Sequence, residues 1–171
     1  MQIPETANKI LDREKIRLKL ERMAFQAMEL TYGDREIVII GIEEGGFDLA
    51  KNIGAIISNN DPKKKMQVTS LYINKRAPLS EEIRLGTDID VNGKAVIVVD
   101  DVGNTGKTLF YAMKALISSE PSKLYIAVLV ERMHKVFPVK ADIVGFPIAS
   151  TFNEHIIVKF KNGEATGAYL F

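Results

Sequence analysis

Two adjacent carboxylates, Asp100 and Asp101, stand at the end of the apolar run Ala95-Val96-Ile97-Val98-Val99 and lead into Val102-Gly103-Asn104-Thr105-Gly106-Lys107-Thr108. Such a pair is ill suited to packing, whereas ionised carboxylates accept hydrogen bonds from a diol. The residues after Val102 are small, hydroxylic or Gly, and a loop of that kind running into a helix offers backbone N–H groups to a phosphate. A ribose phosphate would use both halves. The plain reading, a strand–turn–helix with solvated Asp residues, leaves the Gly/Thr loop unexplained. Gly106-Lys107-Thr108 also ends like the nucleotide-triphosphatase loop G-x-x-x-x-G-K-[ST]. That pattern needs Gly where Asp101 stands, and a carboxylate there would face the phosphates.

Alternating helical and apolar segments must position this pair. Ile16, Leu20, Met23, Ala24, Ala27 and Met28 recur at helical spacing between Asp12, a candidate N-cap, and Gly33, a candidate stop. The run from Glu36 to Ile42 is too short and too β-branched for a helix and reads as a buried strand that ends in Glu43-Glu44-Gly45-Gly46. Leu49, Ala50, Ile53, Ile56 and Ile57 mark a second helix, and Gln67 to Ile73 a second strand. Asn74 to Asn92 carries no apolar period long enough to bury, so it is expected to be a polar loop, with a lid over an anionic ligand as its functional reading. After the strand 95–99, a helix is expected through Leu109, Ala112, Met113, Leu116 and Ile117, then the strand Leu124 to Val130. The order predicts an α/β three-layer sandwich with a mostly parallel central sheet. In such sheets ligands bind beyond the C-terminal strand ends, where Asp100 and Asp101 fall. The tail 140–171 reads as short strands forming a small hood.

The 171 residues suit one domain spanning 1–171, and no internal repeat or linker divides them. With no Cys, thiolate catalysis, Cys-ligated zinc and iron–sulfur clusters are excluded, and a reducing cytoplasm is the expected compartment. His134 and His155 stand far apart without a ligand pattern, so no metal held by the protein alone is expected. A net charge of +1 argues against a binder dominated by nucleic-acid electrostatics. Arg13, Lys15, Arg17, Lys19 and Arg22 alternate with acids, the pattern of a solvated helix face. No apolar stretch is long enough to span a membrane, and the N-terminal residues carry no signal-peptide pattern.

The segment 98–108 resembles the phosphoribosyl-pyrophosphate signature of type I phosphoribosyltransferases. Ile10-Leu11-Asp12, Gly41-Ile42 with Gly46, Leu49-Ala50, Leu71-Tyr72 and Ala127 to Val130 are similar to the family's pyrimidine-operon regulators that are also uracil phosphoribosyltransferases. Lys140 to Phe146 resembles hypoxanthine-type members. The resemblance implies transfer of a 5-phosphoribosyl group from phosphoribosyl pyrophosphate to a nucleobase, with Mg²⁺ carried largely by the substrate and facing Asp100 and Asp101. It implies that these carboxylates hold the ribose hydroxyls while Gly103 and Thr105, Gly106, Lys107 and Thr108 bind the 5-phosphate. Gly45 and Gly46 would belong to the pyrophosphate loop. The lid would run from Tyr72 to Arg84, with Lys75, Arg76 and Arg84 as its cations. Arg132, Lys140 and a stacking Phe152 would meet the base, and a homodimer is expected.

Four positions depart from the family pattern. Glu43 and Gly45 stand where the regulators place Lys and Arg, with Glu44 between them, and Ile73 replaces a basic residue after Leu-Tyr. Asn104 replaces Asp or Tyr and, as an amide, cannot act as a general base. Two hypotheses therefore stand: a salvage phosphoribosyltransferase, with Asn104 beside the catalytic carboxylates, or a nucleotide-sensing regulator with weak or no catalysis that binds RNA as related regulators do.

Overall fold

A computed structural model describes residues 4, 6–149 and 154–171. The chain opens with β1 (Asn8–Asp12) and α1 (Arg13–Leu30). Asp12 caps α1 by accepting the Lys15 backbone N–H at 2.8 Å, and Gly33 (φ +86°) turns the chain three residues past its end. There follow β2 (Glu36–Ile42), α2 (Gly45–Asn60), β3 (Lys65–Tyr72), β4 (Arg84–Leu85) and β5 (Ala95–Gly103). Next come α3 (Lys107–Ala112), β6 (Lys123–Arg132), β7 (Ile143–Ile148), β8 (Ile156–Lys161) and β9 (Glu164–Leu170).

The central sheet has the order β4-β3-β2-β5-β6-β7, parallel throughout except for the two-residue edge strand β4. Strand residues alternate between its two faces, as a period of two requires. Ile37, Ile39, Ile97 and Val99 meet α1 and α2 in one apolar cluster, and Val38, Ile40, Val96 and Val98 meet Leu109 and Ala112 of α3 in the other. Both faces are covered, as a parallel sheet demands. A second sheet, order β1-β9-β8, is antiparallel and forms the hood. No helix is long and apolar enough to cross a membrane among the described residues.

Three expectations need correction. The helix after Thr108 is six residues of α-helix followed by a 3₁₀ turn at Met113–Ala115, and Ile117 lies in solvent. The segment 74–92 is more than polar loop: β4 pairs with β3, Val91 is buried, and Ile83, Leu85 and Ile89 pack against the second cluster. Its apolar residues are too scattered to show a period, yet these four pack on the second cluster while Leu79 stays in solvent. The tail 140–171 divides, since β7 extends the central sheet while β8 and β9 build the hood with β1 from the other end of the chain.

Candidate active site

Strand β5 carries the two carboxylates at its C-terminal end. Asp100 is 2% exposed and the Asp101 side chain 20%. Asp100 Oδ1 accepts Lys75 Nζ at 2.8 Å, and Asp101 Oδ1 lies 3.4 Å from the same ammonium. Burial pushes the Asp100 carboxyl up to about 7, opposed by Lys75 and reinforced by Asp101. For Lys75, burial favours the neutral amine, but the two carboxylates outweigh it and hold the ammonium charged well above the ordinary range.

The cradle follows without a break. Gly106 adopts φ +84°, a left-handed conformation that favours Gly, and a Cβ there would also crowd the Phe137 and Val139 carbonyls at 3.2 and 3.3 Å. Asp100, Gly103, Thr105 and Thr108 line a cavity of about 30 Å³ at this turn. Because α3 is short, any hold on an anion comes from the loop's own N–H and hydroxyl groups rather than from a long helix dipole.

Lys135, unnoticed in the sequence, supports the loop from below. Its Nζ donates to the Gly103 carbonyl at 2.8 Å and the Asn104 carbonyl at 3.3 Å, and pairs with Glu131 at 3.2 Å, with side chains 17% and 8% exposed. Val136 and Phe137 N–H groups both donate to the Thr105 carbonyl at 3.0 Å. Arg132 Nη1 donates to Asn104 Oδ1 at 2.8 Å. The spacing of Glu131 and Lys135 by four was the available signal, but it lies outside a helix, where spacing alone has no meaning.

A second cavity of about 550 Å³ opens beside the carboxylates, between the start of α2 and the hood. Among the described residues Glu43, Glu44, Asp48 and Asp101 line it with a single cation, Lys75, and Phe160 of β8 closes one wall. Gly45 and Gly46 occupy the first turn of α2 rather than an open loop. A Cβ on Gly46 would fall 2.5 Å from the Val99 carbonyl, so its absence lets α2 start against β5. Ile73, which departs from the basic residue of the family pattern, lines the same cavity.

Other expected residues scatter more widely. The Arg84 guanidinium lies 4.5 Å from the centre of the Tyr72 ring, at the β3–β4 edge. Arg76 is exposed, and its carbonyl accepts Lys107 Nζ at 3.3 Å. Lys140 is exposed before β7. Phe152 lies outside the described residues. On α1, Arg17 pairs with Glu14 and Glu21, Lys15 with Asp12 and Arg13 with Glu164, while Arg22 donates to the Val144 and Gly145 carbonyls. That helix spends its basic side chains on local ion pairs and on contacts to the hood and β7.

The phosphoribosyl transferase domain model matches residues 6–161. Bifunctional protein PyrR of Chloroflexus aurantiacus is 32% identical over 160 residues, covering 89% of this chain and 87% of that protein. PyrR of Clostridium kluyveri is 36% identical over 159 residues, covering 89% of each. Among solved structures, a hypoxanthine-guanine phosphoribosyltransferase (hpt-2) of Bacillus anthracis superposes with a TM-score of 0.73 at 23% identity, over 95% of this chain and 98% of that one. The hypoxanthine phosphoribosyltransferase of Trypanosoma cruzi gives 0.76 at 18%, over 94% and 95%. These structures bear on the fold, and the sequence relatives on descent. On both the matched domain and the PyrR relatives, the chain belongs to the phosphoribosyltransferase family.

Proposed function

We propose that the protein transfers the 5-phosphoribosyl group of phosphoribosyl pyrophosphate to a nucleobase, releasing pyrophosphate. The observation that carries this reading is the continuity of Asp100 and Asp101 with the 103–108 loop at one strand end. The carboxylates accept hydrogen bonds from the ribose hydroxyls and stabilise positive charge developing on the sugar, while loop N–H and hydroxyl groups hold the 5-phosphate. Lys75, on the lid, supplies positive charge on the pyrophosphate side. No covalent nucleophile is needed.

Among the described residues no group of three or more His, Cys, Asp or Glu is placed to hold a metal ion. The donors facing the larger cavity are carboxylate oxygens, which suit Mg²⁺. Asp101, with Asp100 behind it, would hold the ion together with the substrate's phosphates. When bound, Mg²⁺ neutralises the diphosphate that Glu43, Glu44 and Asp48 would otherwise repel.

The test is incubation with phosphoribosyl pyrophosphate, Mg²⁺ and a mixture of uracil, hypoxanthine, guanine, xanthine, adenine and orotate, with products identified by mass spectrometry. A nucleoside monophosphate names the base. Replacing both Asp100 and Asp101 by Asn should lower transfer by about a hundredfold or more, and unchanged turnover would remove the site. A second reading, sensing without transfer, rests on the acidic lining at Glu43, Glu44 and Asp48. It expects nucleotide binding in a thermal-shift assay with no product formed.

A further inference from the structure

The two carboxylates that a ribose diol would need are the ones Lys75 holds, through Oδ1 of each. Its ammonium lies 2.8 Å from Asp100 Oδ1 and 3.4 Å from Asp101 Oδ1. One residue on, the Arg76 carbonyl accepts Lys107 Nζ at 3.3 Å, so the start of the lid is fastened both to the carboxylates and to the phosphate loop. Lys75 also lines the cavity of about 550 Å³ beside Glu43, Glu44 and Asp48, where it is the one basic lining residue among those described.

We propose that Lys75 is an exchangeable counter-ion: a ribose diol displaces it from Asp100 and Asp101, and the freed ammonium moves across to the ligand's diphosphate. This rests on the ribose-phosphate reading above and adds an order of events to it. The two arrangements compete, because the ammonium and the diol both draw on the Asp100 and Asp101 carboxylates, and an ammonium held there is withheld from the diphosphate. An anion arriving at this acid-lined cavity therefore meets Lys75, the one cation lining it among the described residues, after the sugar has bound. The lid is thereby released by the sugar and recaptured by the phosphates. A ligand with a diol and no diphosphate should open the lid without closing it.

Two ligands separate the two halves of the exchange. Titrations of Lys75→Gln with ribose 5-phosphate and with phosphoribosyl pyrophosphate, both with Mg²⁺, should move in opposite directions. Ribose 5-phosphate should bind about tenfold more tightly, since its competitor is gone, and phosphoribosyl pyrophosphate about tenfold more weakly, since its cation is gone. Lys75→Arg should keep the wild-type order of affinities. On the unaltered protein, amide hydrogen exchange over residues 74–80 should rise with ribose 5-phosphate, stay unchanged with inorganic phosphate, and fall with phosphoribosyl pyrophosphate. Both affinities moving the same way, or exchange at 74–80 indifferent to ribose 5-phosphate, would overturn the proposal while leaving the site assignment standing. Wild-type protein that binds neither ligand would overturn the site assignment and the exchange with it.

Discussion

Asp100 sets a conflict between stability and chemistry at a single side chain. Its carboxyl is buried and pushed up to about 7, against an ordinary value of 3.8 when unfolded. Between those values the folded protein binds more protons than the unfolded one, so this group's contribution to stability falls as pH rises through the window. Lys75 stays charged throughout it and adds no slope there, because its folded-state value is raised rather than lowered. The unfolding free energy of wild type minus that of Asp100→Asn should therefore decline between about pH 4 and pH 7. Urea melts of both proteins at intervals of pH measure this, and a flat difference would remove burial as the dominant cause. The carboxylate pair and the Gly/Thr loop were legible in the sequence because they are contiguous, and contiguous residues share one local geometry. Lys75 was legible only as a cation on a lid, since its partners stand 25 and 26 residues away. Lys135 was invisible for the same reason, with its acceptors Gly103 and Asn104 more than 30 residues distant.

Elements with long apolar periods declared themselves, and short ones did not. The helix 13–30, the strand 36–42 and the apolar body of β5 follow from periodicity, whereas β1 and β4 are defined by pairing with distant strands. Helix α3 stopped early because α-helical bonding gives way to a 3₁₀ turn at Met113, leaving Ile117 in water. Two junctions between elements are open to test. The loop after β6 holds the 103–105 backbone through Lys135, Val136 and Phe137. Lys135→Met should raise the KM for phosphoribosyl pyrophosphate about tenfold with kcat less affected, and Lys135→Arg should restore part of it, as loss of a charged hydrogen bond to loop carbonyls predicts. Equal changes in KM and kcat, together with a lower melting temperature, would reduce Lys135 to a structural prop. At the other junction, Gly46→Ala inserts a methyl 2.5 Å from the Val99 carbonyl and 3.0 Å from Asp100 Cα. Helix α2 must then withdraw from β5, at a cost of about 1–3 kcal/mol in urea unfolding.

For the molecule as a whole, the central sheet and the hood share one core. Leu11 of β1 and Val158, Ala165 and Ala168 of the hood belong to the same apolar cluster as α1, α2 and the inner face of the sheet. Leu11→Ala, at a position 2% exposed, should cost about 2–5 kcal/mol in a single cooperative transition. Two separate transitions would mean that the hood folds independently. The class of fold could be read from alternating segments, but the hood's composition could not, because its first strand and its last are paired at Asn8 with Leu170. That pairing also has a consequence during synthesis. Strand β9 sits between β1 and β8, yet it leaves the ribosome after every other element described. A nascent chain can lay down the carboxylates, the loop and the parallel sheet while β1 waits without a partner. The wall that Phe160 gives the larger cavity is set only when β9 emerges, so ribosome-bound chains halted before residue 164 should carry the sheet without a finished pocket.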